Sequence, residues 1–226
     1  MAGTGAISRA YLLLYNVTMF AGWAYALYEL AKHASATNTV EGSYAAAGDT
    51  IRLFQLVSGL EILHAALGLV GGSWGAALMQ WAGRSNVLFG VVAAEPEVQG
   101  SLAVGIMCWA WALSEVIRYP WYAASLAGIC PRWLTWLRYT AFIPLYPLGV
   151  VGEMWAVVLA LPHIKQRGLR TISMPNAGNF AFDYSLFLMV LLCLYPFLWF
   201  RLYSFLFRQR RKKLQPTAAA ARKKRQ

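Results

Sequence analysis

The stretch RYTAFIPLYPLGVVGEMWAVVLALP, residues 138–162, has the length and apolar character of a membrane-spanning helix, yet it contains an acidic side chain. A helix needs about 20 mainly apolar residues to cross the hydrocarbon core of a bilayer. Glu153 is the acid, and Tyr146 precedes it by seven residues. Because an ionisable group inside a bilayer is costly, its presence there indicates a functional site.

The composition of the whole chain is typical of a membrane protein. Of its 226 residues, 59% are hydrophobic and only 13% are charged, whereas ordinary soluble domains are about 45–50% apolar. No long polar segment remains once the apolar stretches are assigned, so the sequence predicts an all-α integral membrane protein without a separate soluble domain. Six transmembrane helices in a single bundle with short loops are predicted at residues 9–31, 51–70, 74–94, 101–122, 137–161 and 181–205.

The positive charge is concentrated at the C-terminal end. The formal net charge is +11, and ten of the 20 Lys and Arg residues lie between residues 201 and 226. We therefore predict a six-helix transmembrane domain at residues 1–207 and a basic tail at residues 208–226. The positive-inside rule places this tail in the cytosol, and an even number of spans then places the N-terminus there too. Lys165, Arg167 and Arg170 fall on the opposite side in this topology, against the rule.

The basic tail also bears on location and partners. Lys223 and Lys224 lie four and three positions from the C-terminus, a spacing like that of the dilysine signal for return to the endoplasmic reticulum. Such a signal is an address read by a receptor and requires a cytosolic end. The alternative is chance placement of two lysines in a basic tail. No motif for reading nucleic acid accompanies the charge, so membrane lipid is the expected partner and nucleic acid is excluded.

Other ionisable residues fall inside the predicted spans. Glu61 and His64 are three residues apart on one helix face, as are Glu115 and Arg118. We predict that each couple forms an internal pair, because residues at this spacing are neighbours on a helix. Two ligands are too few for a metal site, so no metal is predicted. Arg84 makes the third predicted span the least regular, and the alternative is that this segment partly lines a cavity.

Tyr146 and Glu153 are expected to share one helix face. Seven residues advance an ideal helix by 700°, only 20° short of two turns, and separate the two side chains by roughly 10.5 Å along the axis. A buried phenol and carboxylate on one face can divide proton donation and acceptance. The alternative is that Glu153 bonds a neighbouring helix while Tyr146 packs at an interface. Residues that permit a bend or a close helix approach lie nearby: Pro144, Pro147, Gly149 and Gly152.

Several stretches together carry a family resemblance. They are YLLLYNVTMFAGWAYALY, LEILHAALGLV, WALSEVIRYPWYA and TWLRYTAFIPLYPLGVVGE, at residues 11–28, 60–70, 111–123 and 135–153. They closely resemble the very-long-chain (3R)-3-hydroxyacyl-CoA dehydratases, also called protein tyrosine phosphatase-like proteins, and especially their plant PASTICCINO type. In that family the catalytic tyrosine opens a Tyr-Pro-x-Gly sequence and the catalytic glutamate follows seven residues later. These positions fall on Tyr146 and Glu153.

The resemblance implies a six-span enzyme of the endoplasmic reticulum that catalyses the third step of fatty acid elongation. It would remove water from a (3R)-3-hydroxyacyl-CoA to give a trans-2-enoyl-CoA, without a cofactor and beside the other elongase subunits, a condensing enzyme and reductases. The polyanionic end of CoA needs cations at the cytosolic rim. Arg118, Arg132 and Arg138 are the candidates there, with Arg84 as a further substrate-binding candidate. The alternative is that these arginines anchor the topology.

Other functions are less consistent with the residues. A tyrosine phosphatase needs a cysteine nucleophile followed by a phosphate-binding arginine. In this chain the position after His64 holds Ala65 and not a cysteine, and no cysteine begins a Cys-x5-Arg loop. A transporter is disfavoured because no inverted repeat is visible. The remaining alternative is a non-catalytic membrane scaffold that binds elongase or phosphorylated signalling partners. A scaffold would tolerate Phe at position 146 and Gln at position 153, whereas a dehydratase would not.

Overall fold

The computed structural model describes residues 5–214, and this part of the chain is almost entirely helical. Its β-structure is limited to one isolated bridge, between Ile172 and Phe182. The helices are α1 (Ala6–Thr37), α2 (Ser43–Val57), α3 (Leu60–Ala66), α4 (Trp74–Ser85), a π-helical segment (Asn86–Val92), α5 (Pro96–Gln99), α6 (Leu102–Ala127), α7 (Arg132–Arg138), α8 (Phe142–Arg167) and α9 (Tyr184–Leu214). The prediction of an all-α protein is therefore confirmed.

Among the described residues, four helical segments are long and apolar enough to cross a membrane. They are Ala6–Thr37, Leu102–Ala127, Arg132–Arg167 and Tyr184–Leu214. These four match the first, fourth, fifth and sixth predicted spans. The chain is accordingly a membrane protein, and a count of six uninterrupted membrane helices is not confirmed.

The second predicted span, residues 51–70, is divided at Ser58 and Gly59. In a continuous helix the carbonyl of Gln55 would accept the backbone N–H of Gly59. Instead, the Ser58 hydroxyl donates to that carbonyl at 2.6 Å and the Trp81 indole donates to it at 2.9 Å, while the Gly59 N–H donates to Leu56. Side-chain donors thus take the place of one backbone hydrogen bond, and α2 and α3 are separate helices.

The third predicted span, residues 74–94, changes helix type halfway along. α4 continues at Asn86 into the π-helical segment, whose wider turn alters the usual backbone pairing. Arg170, in the loop before α9, donates to the carbonyls of Gly90 at 2.5 Å and Phe89 at 3.0 Å. The Tyr184 hydroxyl donates to the Asn86 side chain at 3.0 Å. The irregular helix is therefore held by side chains from the α8–α9 loop and from the start of α9.

The core forms around α6, which packs most extensively against α8 and α1. Gly152 permits the contact with α8, because a Cβ there would lie 2.8 Å from the backbone nitrogen of Met107 and 2.9 Å from the carbonyl oxygen of Ala103. Small residues at helix crossings allow this close approach in membrane proteins. The predicted role of Gly152 in close packing is confirmed, and the contact brings the neighbouring Glu153 against α6.

The last helix is long and lies at the side of the bundle, where it packs mainly on α8. It runs past residue 207, the predicted end of the membrane domain, to Leu214. The part of the predicted tail that contains Lys223 and Lys224 lies outside the described residues.

Candidate active site

Both predicted catalytic side chains of α8 face α9. The Tyr146 ring packs against Trp199 and Tyr203, with ring centroids 6.4 Å and 6.0 Å apart. Almost two turns further along α8, Glu153 accepts a hydrogen bond from the Tyr195 hydroxyl. Tyr195, Trp199 and Tyr203 recur every four residues, so they form one stripe on α9. The predicted placement of Tyr146 and Glu153 on a single helix face agrees with this geometry.

Pro147 helps to attach α9 to this face. A proline has no backbone N–H, so the carbonyl of Ile143, four residues earlier, lacks its helical donor. The Tyr203 hydroxyl donates to that carbonyl at 2.9 Å. Tyr203 also stacks on Trp199, with centroids 4.9 Å apart and planes inclined by 17°. The proline thus creates the acceptor that fixes the aromatic stripe beside Tyr146.

The Glu153 carboxylate is buried and receives only neutral donors. Its side chain belongs to a residue that is 7% exposed. The Trp111 indole of α6 donates to Oε1 at 2.8 Å, and Tyr195 donates to Oε2. Within residues 5–214, no Lys, Arg or His nitrogen forms an ion pair with Glu153, whereas buried Glu95 and Glu115 both bind arginine. Glu153 is therefore a buried acid without an ion-pair partner in the described part of the chain.

A second polar cluster lies against the face of the Trp111 ring. The Arg84 guanidinium lies 4.1 Å from the centroid of the Trp111 ring, in cation–π geometry, and donates to Glu115 Oε1 at 2.5 Å. The Arg118 Nε donates to Glu115 Oε2, also at 2.5 Å. Trp111 therefore contacts both groups, with its ring face against the Arg84 guanidinium and its edge N–H on the Glu153 carboxylate.

The same cluster continues from Arg118 to α3. The two terminal guanidinium nitrogens of Arg118 donate to the Glu61 carboxylate at 2.7 Å and 3.0 Å, and the two residues form a bidentate pair. The Tyr119 hydroxyl also donates to Glu61, at 2.6 Å. The network of Glu61, Arg84, Glu115 and Arg118 contains two positive and two negative charges. We refer to these four residues as the ion-pair network, and their formal charges cancel.

The structure confirms one predicted pair and contradicts the other. Glu115 and Arg118 form the expected ion pair. Glu61 and His64 are not hydrogen-bonded to each other, because Glu61 binds Arg118 and the His64 Nε2 pairs with the Tyr11 hydroxyl at 2.9 Å. A guanidinium presents a planar fork that matches a carboxylate, so Arg118 is the stronger partner.

The four candidate substrate-binding arginines fall into two groups. Arg84 and Arg118 are inside the bundle, with side chains 18% and 20% exposed, and they bind carboxylates. Arg132 is exposed at the start of α7. Arg138, at the end of α7, is half-buried with its guanidinium 6.0 Å from the ring centroids of Tyr122 and Tyr139. Only the α7 pair lies without a carboxylate partner in the described residues.

Sequence reasoning missed the two residues that touch Glu153. Trp111 and Tyr195 are each 42 positions away from it along the chain. One signal was available for Tyr195: the triplet Leu-Tyr-Pro occurs at residues 145–147 and again at residues 194–196. No grouping of three or more His, Cys, Asp or Glu side chains in residues 5–214 could hold a metal ion.

Comparisons with known proteins place this chain in a family. The model of the family described as protein tyrosine phosphatase-like protein, PTPLA, matches residues 55–216. The chain is 39% identical to very-long-chain (3R)-3-hydroxyacyl-CoA dehydratase 2 of Mus musculus, over 95% of this chain and 85% of that protein. It is 38% identical to the dehydratase PASTICCINO 2 of Arabidopsis thaliana, over 86% of this chain and 89% of the relative. No solved structure matches significantly.

Proposed function

Because the chain belongs to the protein tyrosine phosphatase-like family, we propose that it dehydrates very-long-chain (3R)-3-hydroxyacyl-CoA to trans-2-enoyl-CoA and water. This is the third step of the fatty acid elongation cycle, and it makes the protein a hydro-lyase. The observation that carries the proposal is the Glu153 carboxylate, which is buried against α9 with a tyrosine and a tryptophan as its donors.

The reaction requires two proton transfers. A base removes a proton from C2, next to the thioester carbonyl, and the electrons of that C–H bond form the C2–C3 double bond. The C3–O bond breaks as an acid protonates the departing hydroxyl, which leaves as water. No electron is gained or lost overall. We assign the two transfers jointly to Glu153 and Tyr146, because a positioned carboxyl and a phenol can each donate and accept a proton.

The neutral surroundings of Glu153 suit this role. A carboxylate that is bound by arginine is held in its ionised form, as expected for Glu115. Glu153 has hydrogen-bond donors but no ion-pair partner in the described residues, so both of its protonation states are accessible to a reaction. Trp111 and the α8–α9 contact also keep water away from the carboxyl, which strengthens its interaction with a bound substrate.

The substrate is proposed to enter along α8 from its N-terminal end. Tyr146 and Glu153 follow the first residue of α8 by roughly 6 Å and 16 Å at 1.5 Å per residue. α7, directly before α8, carries Arg132 and Arg138, and we assign the phosphates of CoA to these two arginines. Arg84 and Arg118 already bind carboxylates inside the bundle, so we assign them to the ion-pair network rather than to CoA.

The membrane arrangement is proposed to include six crossings. In this arrangement α2 with α3 forms one broken span, and α4 with the π-helical segment forms the next. Irregular backbone at membrane depth is tolerated where it is buried in protein. With six crossings both termini lie in the cytosol, the membrane is that of the endoplasmic reticulum, and the partners are the condensing and reducing enzymes of elongation.

The test is turnover of a C16 to C20 (3R)-3-hydroxyacyl-CoA by the purified full-length protein in detergent. We expect Tyr146→Phe and Glu153→Gln to lower kcat by at least about 100-fold, the usual contribution of a positioned acid or base. Tyr25→Phe and Glu41→Gln make the same chemical changes at exposed positions and are expected to retain activity.

The outcomes separate the alternatives. Full turnover in both Tyr146→Phe and Glu153→Gln would refute the site while leaving the reaction in place. A folded wild-type protein without any turnover would refute the reaction and favour a non-catalytic scaffold.

A further inference from the structure

We propose that Tyr195 is a positioning residue that holds Glu153 in both of its protonation states during the reaction. The inference rests on the proposed function, because it concerns the same carboxyl group. It assigns a role to a residue of α9 that lies outside the Tyr146 and Glu153 pair.

The first step is the placement of the two donors. Trp111 reaches Oε1 from α6, and Tyr195 reaches Oε2 from α9. α8 packs against both of those helices, so the Glu153 side chain is held from two sides. With one donor on each oxygen, the carboxyl plane is fixed, and each oxygen keeps one further lone pair for substrate.

The second step is the difference between the two donors. An indole N–H can only donate a hydrogen bond, whereas a phenol hydroxyl can donate or accept one. Oε1 therefore has to remain an acceptor as long as Trp111 stays in place. A proton that arrives on the carboxyl belongs on Oε2, where the Tyr195 hydroxyl can reverse from donor to acceptor. Tyr195 is thus the partner that fits Glu153 both before and after a proton transfer.

The third step is the rigidity of Tyr195. It is half-buried, whereas Phe197, Leu198 and Phe200 on the outer faces of α9 are 76%, 56% and 67% exposed. The next residues of its own stripe, Trp199 and Tyr203, are stacked on each other, and the Tyr203 hydroxyl donates to the Ile143 carbonyl of α8. The hydroxyl is therefore supplied by an anchored part of the helix. Such anchoring is required of a group that positions a catalytic side chain.

The experiment compares Tyr195→Phe with Tyr184→Phe in the full-length protein. Both changes remove one hydroxyl hydrogen bond from α9, but the Tyr184 hydroxyl binds Asn86 and not Glu153. We expect Tyr195→Phe to lower kcat roughly 10- to 100-fold with little change in KM, the size of effect that follows a small misplacement of a reacting group. Tyr184→Phe is expected to change the melting temperature by as much or more and to leave kcat unchanged.

A second measurement does not depend on turnover. The infrared difference spectrum between wild type and Glu153→Gln, recorded over a range of pH, isolates the carboxylate and carboxylic acid bands of Glu153. We expect Tyr195→Phe to shift both bands, because the hydroxyl bonds both forms, and Tyr184→Phe to shift neither. A shift of the carboxylate band alone would overturn the proposed reversal.

The result can be separated from a failure of the proposed function. If wild type dehydrates the substrate and Glu153→Gln does not, but Tyr195→Phe keeps the full kcat, then this inference is wrong and the proposed function stands. An equal fall in the melting temperature with unchanged kcat would show a purely structural role and would also overturn it. If the folded wild type does not dehydrate the substrate, both proposals are wrong together.

Discussion

Glu115 and Glu153 are two equally buried acids with opposite surroundings. They belong to residues that are 4% and 7% exposed, and each carboxylate accepts one hydrogen bond on each oxygen. The oxygens of Glu115 bind the guanidinium groups of Arg84 and Arg118. Those of Glu153 bind uncharged indole and phenol groups. Burial is therefore alike for Glu115 and for Glu153, the acid that we propose to be reactive, and what differs is the charge of their partners.

The contact between the two regions runs through Trp111. One face of its ring lies against Arg84, while its N–H donates to Glu153. Arg84 pairs with Glu115 and not with Glu153, so one side chain contacts a charged network and an acid outside it. We infer that the ion-pair network builds the rigid side of the site and that Glu153 remains available for proton transfer.

The largest loss of stability is expected from a variant that breaks the ion-pair network. Glu115→Gln removes the charge that both Arg84 and Arg118 face, and it leaves Arg84 without a carboxylate partner in the described residues. Breaking one partner of a buried ion pair typically costs about 3–5 kcal/mol. We expect thermal unfolding in detergent to show a loss of this size, and a loss of activity that follows the loss of folded protein.

Glu153→Gln is the matched comparison, because it makes the same change at the other buried acid. No buried cation is left without its partner, so this variant should melt close to wild type while its turnover collapses. Equal stability losses in the two variants would contradict the division into a structural and a reactive acid.

A smaller effect is expected from the helix contact that delivers Glu153. Gly152→Ala adds a Cβ within 3.0 Å of two backbone atoms of α6, whereas a Cβ at Gly149 would lie no closer than 3.7 Å to its neighbours. Overpacking of this kind typically costs about 1–3 kcal/mol. We expect Gly152→Ala to lower both the melting temperature and kcat.

Gly149→Ala serves as the control, since the same methyl group enters ordinary van der Waals space one turn away. It should retain both stability and activity. If the two alanine variants behaved alike, the close approach of α6 and α8 would not be what places Glu153.

Much of this architecture could be predicted because it depends on local sequence. Length and hydropathy located α1, α6, α8 and α9 to within several residues, since each is a continuous apolar stretch. Helical periodicity alone placed Tyr146 and Glu153 on one face. The break in the second predicted span was not predictable in this way, because it depends on Trp81 reaching a carbonyl 26 positions earlier in the chain.

The partners of the buried acids depend on tertiary packing. Glu61 has a histidine three residues away, but it binds Arg118, which is 57 positions distant. Spacing within one helix identifies neighbours on that helix and says nothing about a neighbouring helix. The donors to Glu153 were missed for the same reason, although the second Leu-Tyr-Pro triplet marked the right residue of α9.

The smallest effect concerns a third carboxylate, which lies just before the membrane-spanning candidate Tyr184–Leu214. Asp183 precedes α9 and accepts hydrogen bonds from the side chain of Ser185 at 2.7 Å and from the backbone N–H groups of Ser185 and Leu186 at 2.8 Å and 3.1 Å. The Ser185 hydroxyl, together with these backbone donors, holds the pKa of Asp183 below its ordinary value of 3.8. Like Glu153 it has neutral donors, but water solvates its charge, so it stays ionised near neutral pH.

A native pKa below the unfolded value means that the ionised cap stabilises the fold above about pH 3.8 and that this stabilisation is lost as pH falls through the native pKa. We expect Asp183→Ala to melt below wild type at neutral pH, because the first turn of α9 loses its cap. This difference in melting temperature should close in acid.

Asp183→Asn keeps an oxygen acceptor without a titrating charge, so its stability relative to Asp183→Ala should not vary with pH over the same range. A gap between wild type and Asp183→Ala that stayed constant from neutral pH into acid would show that the charge of Asp183 does not contribute to capping α9.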